Sequence, residues 1–496
     1  MNQIIKRTAP ALALLGLGLA GCQPTIEAPA ASPGSADFSS YIAVGNSLTA
    51  GYSDGGLYRE GQLNSYPSIL ASQFAKAGGG NFVQPLFTEA QAVGSGYLGL
   101  LGFTVPTATS LSSPITSIVT STTNPIATLA VRGGTAQAPL YTQFLDPVNN
   151  LGVPGIRMSD IQTVGYGSTR GNPYFERLTP AASAGQTYLQ RVQATVASLN
   201  PTFFTEWLGN NDVLGYATAG GGANFITPLP TFTTNAGLVL DALVAGGAKG
   251  VVSTIPDVTG IPFFTTVGPS YRANLDLNKV PVAVAPFIYT TGILAPGQPN
   301  TRVTTATLSS IRDASGTGTL LLTLTASPYL RLYGTPSGKY WRDFYQQAKP
   351  SLPPTVPNLA VFLLTLGVDT LKPFGQHPGN PFPSTLVLDP TEQTTVANAT
   401  IAFNTALISA ANARNLAVFD ASSFFRSVAN SGYVVNAVSN TAGYLSGNLF
   451  GLDGVHPTPR GYAVIANEML RVINAKYGSS FSGVNPNNYR GVVFPQ

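Results

Sequence analysis

LQRVQATVASLNPTFFTEWLGNND, residues 189–212, is the stretch from which the fold is read. Leu189, Val192, Val196 and Leu199 recur at helical spacing, which places four apolar side chains on one helix face. Asn200-Pro201 then ends that helix, because proline offers no N–H and disfavours the helical region for the residue before it. Thr202 to Leu208 is an aromatic run that reads as an extended strand. A helix feeding a strand over so short a joint is half of a βαβ unit, so the segment predicts α/β architecture with a parallel sheet covered by helices.

The same rhythm recurs on either side. Tyr41 to Val44 is a short β-type run ending at Gly45, and a helix is predicted from Pro67 to Ala77 before Gly78 to Gly80. A helix near Ala236 to Val244 leads through glycines to a strand at Gly250 to Ile255. Asp389-Pro390-Thr391-Glu392 combines an N-cap, a first-turn proline and a capping-box acid, opening a helix with Val396, Phe403 and Leu407 that precedes a strand at Leu416 to Phe419. Thr458-Pro459 caps and starts a last helix whose Ala463, Ala466, Leu470 and Ile473 share a face. Two regions break the rhythm, near 81–145 and 268–388, and both are expected to be insertions that shape a substrate cleft, a separate second domain being the alternative for the later one. Aromatic pairs there and beside them, Phe263-Phe264 and Tyr329 to Tyr333, suit either an apolar acyl pocket or core packing.

Four short blocks carry chemistry, and each has a bland reading of its own. Gly45-Asn46-Ser47-Leu48 follows the first strand, where a serine on a sharp turn stands exposed above the sheet edge; the same tetrapeptide also serves as a plain turn. Asn150 to Arg157 includes Gly152 and Gly155, and a glycine N–H facing a cleft can bind an oxyanion; a Gly-Pro loop is the alternative. Gly209-Asn210-Asn211-Asp212 follows the strand of the opening stretch and offers an amide donor, or a turn bonded to its own backbone. Asp453-Gly454-Val455-His456-Pro457 sets a carboxylate three residues before an imidazole, the pair a serine needs as base and orienting acid. The chain has two histidines, and the other, His377, lies in a proline-rich loop with no acid near it in sequence.

Taken in order, these blocks resemble the SGNH hydrolase family, also called GDSL-type esterases and lipases. The resemblance covers the core and not the insertions. It implies a flavodoxin-like three-layer sandwich over residues 38–480, Ser47 as nucleophile, and His456 and Asp453 as the rest of a triad. It further implies an oxyanion hole of the Ser47 and Gly155 N–H groups with the Asn211 side chain, Gly152 being the less favoured glycine. The family's motif has aspartate where this chain has Asn46; asparagine keeps an acceptor but supplies no charge.

The N-terminus sets the location. Lys6 and Arg7 precede an apolar run at residues 8–18, too short to span a bilayer stably, and Leu19-Ala20-Gly21-Cys22 resembles the lipobox of bacterial lipoproteins. Residues 1–21 are therefore expected to be a signal peptide and Cys22, the sole cysteine, a lipidated N-terminus in the bacterial cell envelope, at the outer membrane or cell surface. Residues 22–37, rich in Pro, Ala and Ser, read as a flexible tether, and 481–496 as a C-terminal tail.

A net charge of +4 on 496 residues, with charged residues at 9%, argues against a nucleic-acid partner. One cysteine and two distant histidines form no recognisable Zn2+ cluster, so no metal is expected in the site, a calcium site of scattered carboxylates and carbonyls being the alternative; no phosphate loop or dinucleotide fingerprint predicts a cofactor. The expected activity is ester hydrolysis through an acyl-enzyme, of lipase or general carboxylesterase type. A carbohydrate O-deacetylase of the same fold is the alternative, acyl transfer to a second alcohol a further one, and a non-catalytic envelope binding protein a third.

Overall fold

The computed structural model describes residues 30–104, 114–123, 126–136, 138–222, 225–292 and 302–495. At its centre is a five-stranded parallel sheet of β1 (Tyr41–Gly45), β2 (Asn150–Gly152), β3 (Phe203–Trp207), β4 (Lys249–Ser253) and β5 (Ala417–Phe419), in the order β2-β1-β3-β4-β5. The main helices are α1 (Ser47–Ala50), α2 (Tyr66–Phe74), α3 (Tyr188–Leu199), α4 (Asn211–Thr218), α5 (Leu229–Val244), α6 (Pro390–Ala413), α7 (Ala421–Ser431) and α8 (Pro459–Tyr477).

Alternation along the strands builds two cores. Ile42, Val44, Phe204 and Val252 face one side and pack with α3, α5 and α6, where the Phe232 and Phe403 rings stack with centroids 4.0 Å apart. Tyr41, Ala43, Phe203, Trp207 and Val251 face the other and pack with α2 and α8. Both faces of the sheet are thus covered by helices, which is what apolar residues at successive strand positions require.

The caps read from sequence are in place. Asn200 takes a left-handed conformation at φ 43° to end α3, the Asp389–Glu392 capping box opens α6, and the Thr458 side chain accepts from Gly461 N at the start of α8. Helix α5 starts at Leu229, seven residues before the stretch predicted, because its first turns carry Thr and Asn that weaken the apolar pattern.

The insertion near 81–145 contains three antiparallel hairpins, Tyr97–Phe103 with Pro114–Val119, Ser121–Thr123 with Ile126–Thr128, and Val131–Gly134 with Pro139–Tyr141. Residues of 268–388 gather around a third core that includes Phe287, Trp341, Phe362 and Phe382, while Leu321 and Leu388 reach the core of the sheet. At the chain ends, Ser35 N donates to Tyr477 O, Ala36 is buried, and Phe481 enters the core beside α8. Parts of the segments read as tether and tail are therefore held against the body. Among the described residues no helix is long and apolar enough to cross a membrane. Cys22 and the leader lie outside the described residues.

Candidate active site

The sheet itself makes the site. Strand β1 lies between β2 and β3, so the connections leave its carboxyl end in opposite directions and open a crevice there. The register pairs Gly45 with Gly152 on one side and Trp207 on the other, so the first three blocks emerge side by side.

Ser47 is the first residue of α1, where its N–H has no acceptor within the helix. Asn46 caps that turn, its Oδ1 accepting from Leu48 N at 3.0 Å, so the acceptor that asparagine keeps at this position is used. The Asn46 Nδ2 is buried without a partner among the described residues. Gly45 is required for packing as much as for the turn, since a Cβ there would meet Thr49 Oγ1 and the Trp207 carbonyl.

The fourth block closes on Ser47 from the far end of the chain. His456 Nε2 lies 2.9 Å from Ser47 Oγ, and His456 Nδ1 lies 2.6 Å from Asp453 Oδ2. A carboxylate can only accept, so Nδ1 carries the imidazole proton and Nε2 accepts from the serine hydroxyl. Asp453 Oδ1 accepts from the N–H groups of Val455 and His456, each at 2.9 Å, and Oδ2 also accepts from Gly55 N at 2.9 Å. Burial disfavours the Asp453 carboxylate, but the facing His456 and these bonds outweigh it and hold the carboxyl below its ordinary range. Gly454 sits at φ 68° between them, and a Cβ there would press on Phe263 N at 3.0 Å. The Tyr52 ring packs against the imidazole with centroids 4.6 Å apart.

Asn211 opens α4, and its Nδ2 donates to the Ile156 carbonyl at 2.9 Å, leaving the second amide hydrogen for the crevice. The sequence offered a turn here, and the structure continues it into a helix. Gly209 supplies the bend at φ 100°, where a Cβ would come within 2.9 Å of Ile255 Cδ1 and 3.0 Å of the Phe232 ring. Gly155 is exposed with φ 81°. Val153 N, two residues earlier, donates to Gly45 O at 3.0 Å, which ties this loop to the Ser47 turn. Gly152 differs: it belongs to β2, its N–H donates to Asn150 Oδ1 at 2.9 Å, and a Cβ would strike Ala50 N. The second loop is fixed from below by buried Asp212, which accepts from Met158 N at 2.7 Å and Thr227 Oγ1 at 2.5 Å. Burial pushes the Asp212 carboxyl up to about 6 despite these bonds.

Beside Ser47 and His456 opens a cleft walled by Leu48, Leu214, Val258, Ile261, Phe425 and Phe450. This corrects the expected role of the insertions. Among the described residues no cleft-lining residue comes from 81–145 or 268–388; the walls come from the segment after β4, from α7 and from the approach to the fourth block. Phe263 and Phe264 are buried in the sheet's core, and Tyr329 and Tyr333 pack on the third core. Gly155 also lies outside the cleft lining. The other histidine, His377, is exposed and accepts from Gly379 N in its own turn.

Tyr52, Gly55 and the α7 wall were not found from sequence. Tyr52 and Gly55 do fall within eight residues of Ser47, the one signal that could have drawn notice. Compared with protein-family models, with curated proteins and with solved structures, the chain matches none of them.

Proposed function

We propose that this chain is an exported, lipid-anchored serine ester hydrolase of the SGNH type, built on a flavodoxin-like core. The observation that carries the reading is the relay from Asp453 Oδ2 through His456 to Ser47 Oγ, with links of 2.6 and 2.9 Å. The strand order β2-β1-β3-β4-β5 supports the core assignment, because it is the order of flavodoxin-like sheets, which bind ligands where the order reverses.

In this mechanism His456 Nε2 takes the hydroxyl proton as Ser47 Oγ attacks the ester carbonyl. The negative charge that moves onto the carbonyl oxygen is met by the Ser47 N–H, the Gly155 N–H and the free hydrogen of Asn211 Nδ2. His456 then protonates the leaving alcohol, and water, deprotonated by the same imidazole, releases the acid from the acyl-serine. Asp453 keeps the imidazole in its accepting tautomer and balances the imidazolium.

An apolar cleft beside the nucleophile favours an aliphatic acyl group, hence a carboxylesterase or lipase rather than an enzyme restricted to acetyl. Cys22, following Leu19-Ala20-Gly21, would carry the lipid that holds the enzyme to the cell envelope. The Ser47→Ala protein tests the assignment: turnover of a small chromogenic ester should fall on the order of 10⁴-fold or more. Undiminished turnover would remove Ser47 from the mechanism.

A further inference from the structure

Asp453 is held by more than its histidine. Residues 54–55 and 452–453 face each other and exchange two bonds: Leu452 N donates to Asp54 Oδ1 at 2.9 Å, and Gly55 N donates to Asp453 Oδ2 at 2.9 Å. The position of the triad acid is therefore set by where Asp54 sits. Asp54 is buried to 4% exposure and sits at φ 50°, a left-handed conformation uncommon outside glycine.

Leu98 N donates to the Asp54 carbonyl at 2.7 Å, and the C-terminal tail holds the Asp54 side chain. Arg490 Nη2 lies 3.4 Å from Asp54 Oδ2 and donates to Tyr58 Oη at 2.6 Å, while Tyr58 Oη donates to Asp54 Oδ2 at 2.8 Å. Its Nε donates to Glu60 Oε1 at 2.8 Å. The tail is laid along α8 by Arg460, which donates from N to Arg490 O and from Nε to Tyr489 O. Asn467 adds two bonds to Val484. A buried carboxyl with no partner is costly, and Arg490 with Tyr58 supplies the partners that hold Asp54 in place.

We infer that Arg490 is a positioning residue for the catalytic triad, acting through Asp54 and Gly55 on Asp453, which makes the tail part of the active-site scaffold. The inference rests on the serine hydrolase reading above. Without Arg490, Asp54 loses that partner, the paired turns separate, and Asp453 no longer holds the imidazole against Ser47. None of Arg490, Asp54, Gly55 and Asp453 lines the cleft, so the effect is expected on the chemical step.

The test compares Arg490→Met, Asp54→Asn and their combination in the full-length protein. The readouts are kcat and KM on a chromogenic ester, the rate of inactivation by a serine-reactive phosphonate, and thermal melting. Each single change should lower kcat and the phosphonate rate about 10- to 100-fold, as misplacing a catalytic group by an ångström does. KM should stay within about threefold. The combination should fall no further than the worse single change, and Arg490→Lys should recover most of the loss. Tyr58→Phe, which deletes only the bridging hydroxyl, guards against misfolding of the harsher variants and should lower kcat about 5- to 10-fold.

Folded Arg490→Met or Tyr58→Phe protein with wild-type kcat, or single losses that multiply in the combination, would overturn the inference. Wild-type protein that neither turns over ester nor takes phosphonate would instead overturn the serine hydrolase reading itself.

Discussion

Asn211 Nδ2 donates to the Ile156 carbonyl at 2.9 Å, which fastens the loop after β3 to the glycine loop after β2. One hydrogen of that amide is spent on the scaffold and the other is left over beside the cleft that Asn211 lines, so the proposed mechanism has both loops held together before substrate arrives. Replacing Asn211 by Ala should lower kcat about 100- to 1000-fold, the usual cost of one oxyanion donor, with KM little changed. Steady-state kinetics on a chromogenic ester checks it; a large rise in KM at unchanged kcat would place Asn211 in binding instead.

Asp453→Asn separates orientation from simple contact. The backbone bonds from Val455 and His456 to Oδ1 can persist, but an amide facing Nδ1 favours the wrong tautomer, which takes the accepting lone pair away from Ser47. The expected loss is on the order of 10⁴-fold in kcat in a protein that melts near the wild-type temperature.

The cleft wall predicts acyl selectivity. Ala429 on α7 lines the cleft opposite Leu214 and the segment after β4, and its side chain is small and exposed. Ala429→Trp should lower kcat/KM for an octanoyl ester about 10- to 100-fold while the acetyl ester changes by less than about threefold. Equal losses on both esters would detach the cleft from acyl binding.

Glu206 gives the fold a pH dependence of its own. It lies in central strand β3 at 1% exposure, accepts from Leu208 N through Oε1, and leaves Oε2 without a partner among the described residues. Burial pushes its carboxyl up to about 8 from an ordinary 4.5, against the lowering effect of that bond. Between these values the folded chain holds one proton more than the unfolded chain, so this group's contribution to stability falls as pH rises. The slope is about 1.4 kcal/mol per pH unit and ends above the folded value. Glu206→Gln, which stays neutral, should remove that slope and melt higher than wild type at pH 8; melting curves from pH 5 to 9 check both.

Much of this was legible in the sequence because the signals were local. Asn200-Pro201, Asp389 to Glu392 and Thr458-Pro459 each fix a helix end locally, and Ser47, Asn211 and His456 of the separated blocks line one cleft. Strand β2 was not legible, since three residues carry no period, nor was α4, whose start at Asn211 reads equally as a turn. The grip of Asp54 and Gly55 on residues 452–453 spans 398 positions in each of its two bonds, and nothing local announces it. The insertions misled for a related reason: aromatic content shows that a segment will be buried but not against what, and theirs went into a third core.

The central claim is that Ser47 is a nucleophile made reactive by His456. Treatment with a serine-reactive phosphonate, followed by intact mass and peptide mapping, tests it most directly. One adduct per chain on Ser47, absent from Ser47→Ala and slowed by about a thousandfold or more in His456→Ala, is the predicted result. An unmodified wild-type protein, or an adduct on another residue, would contradict it.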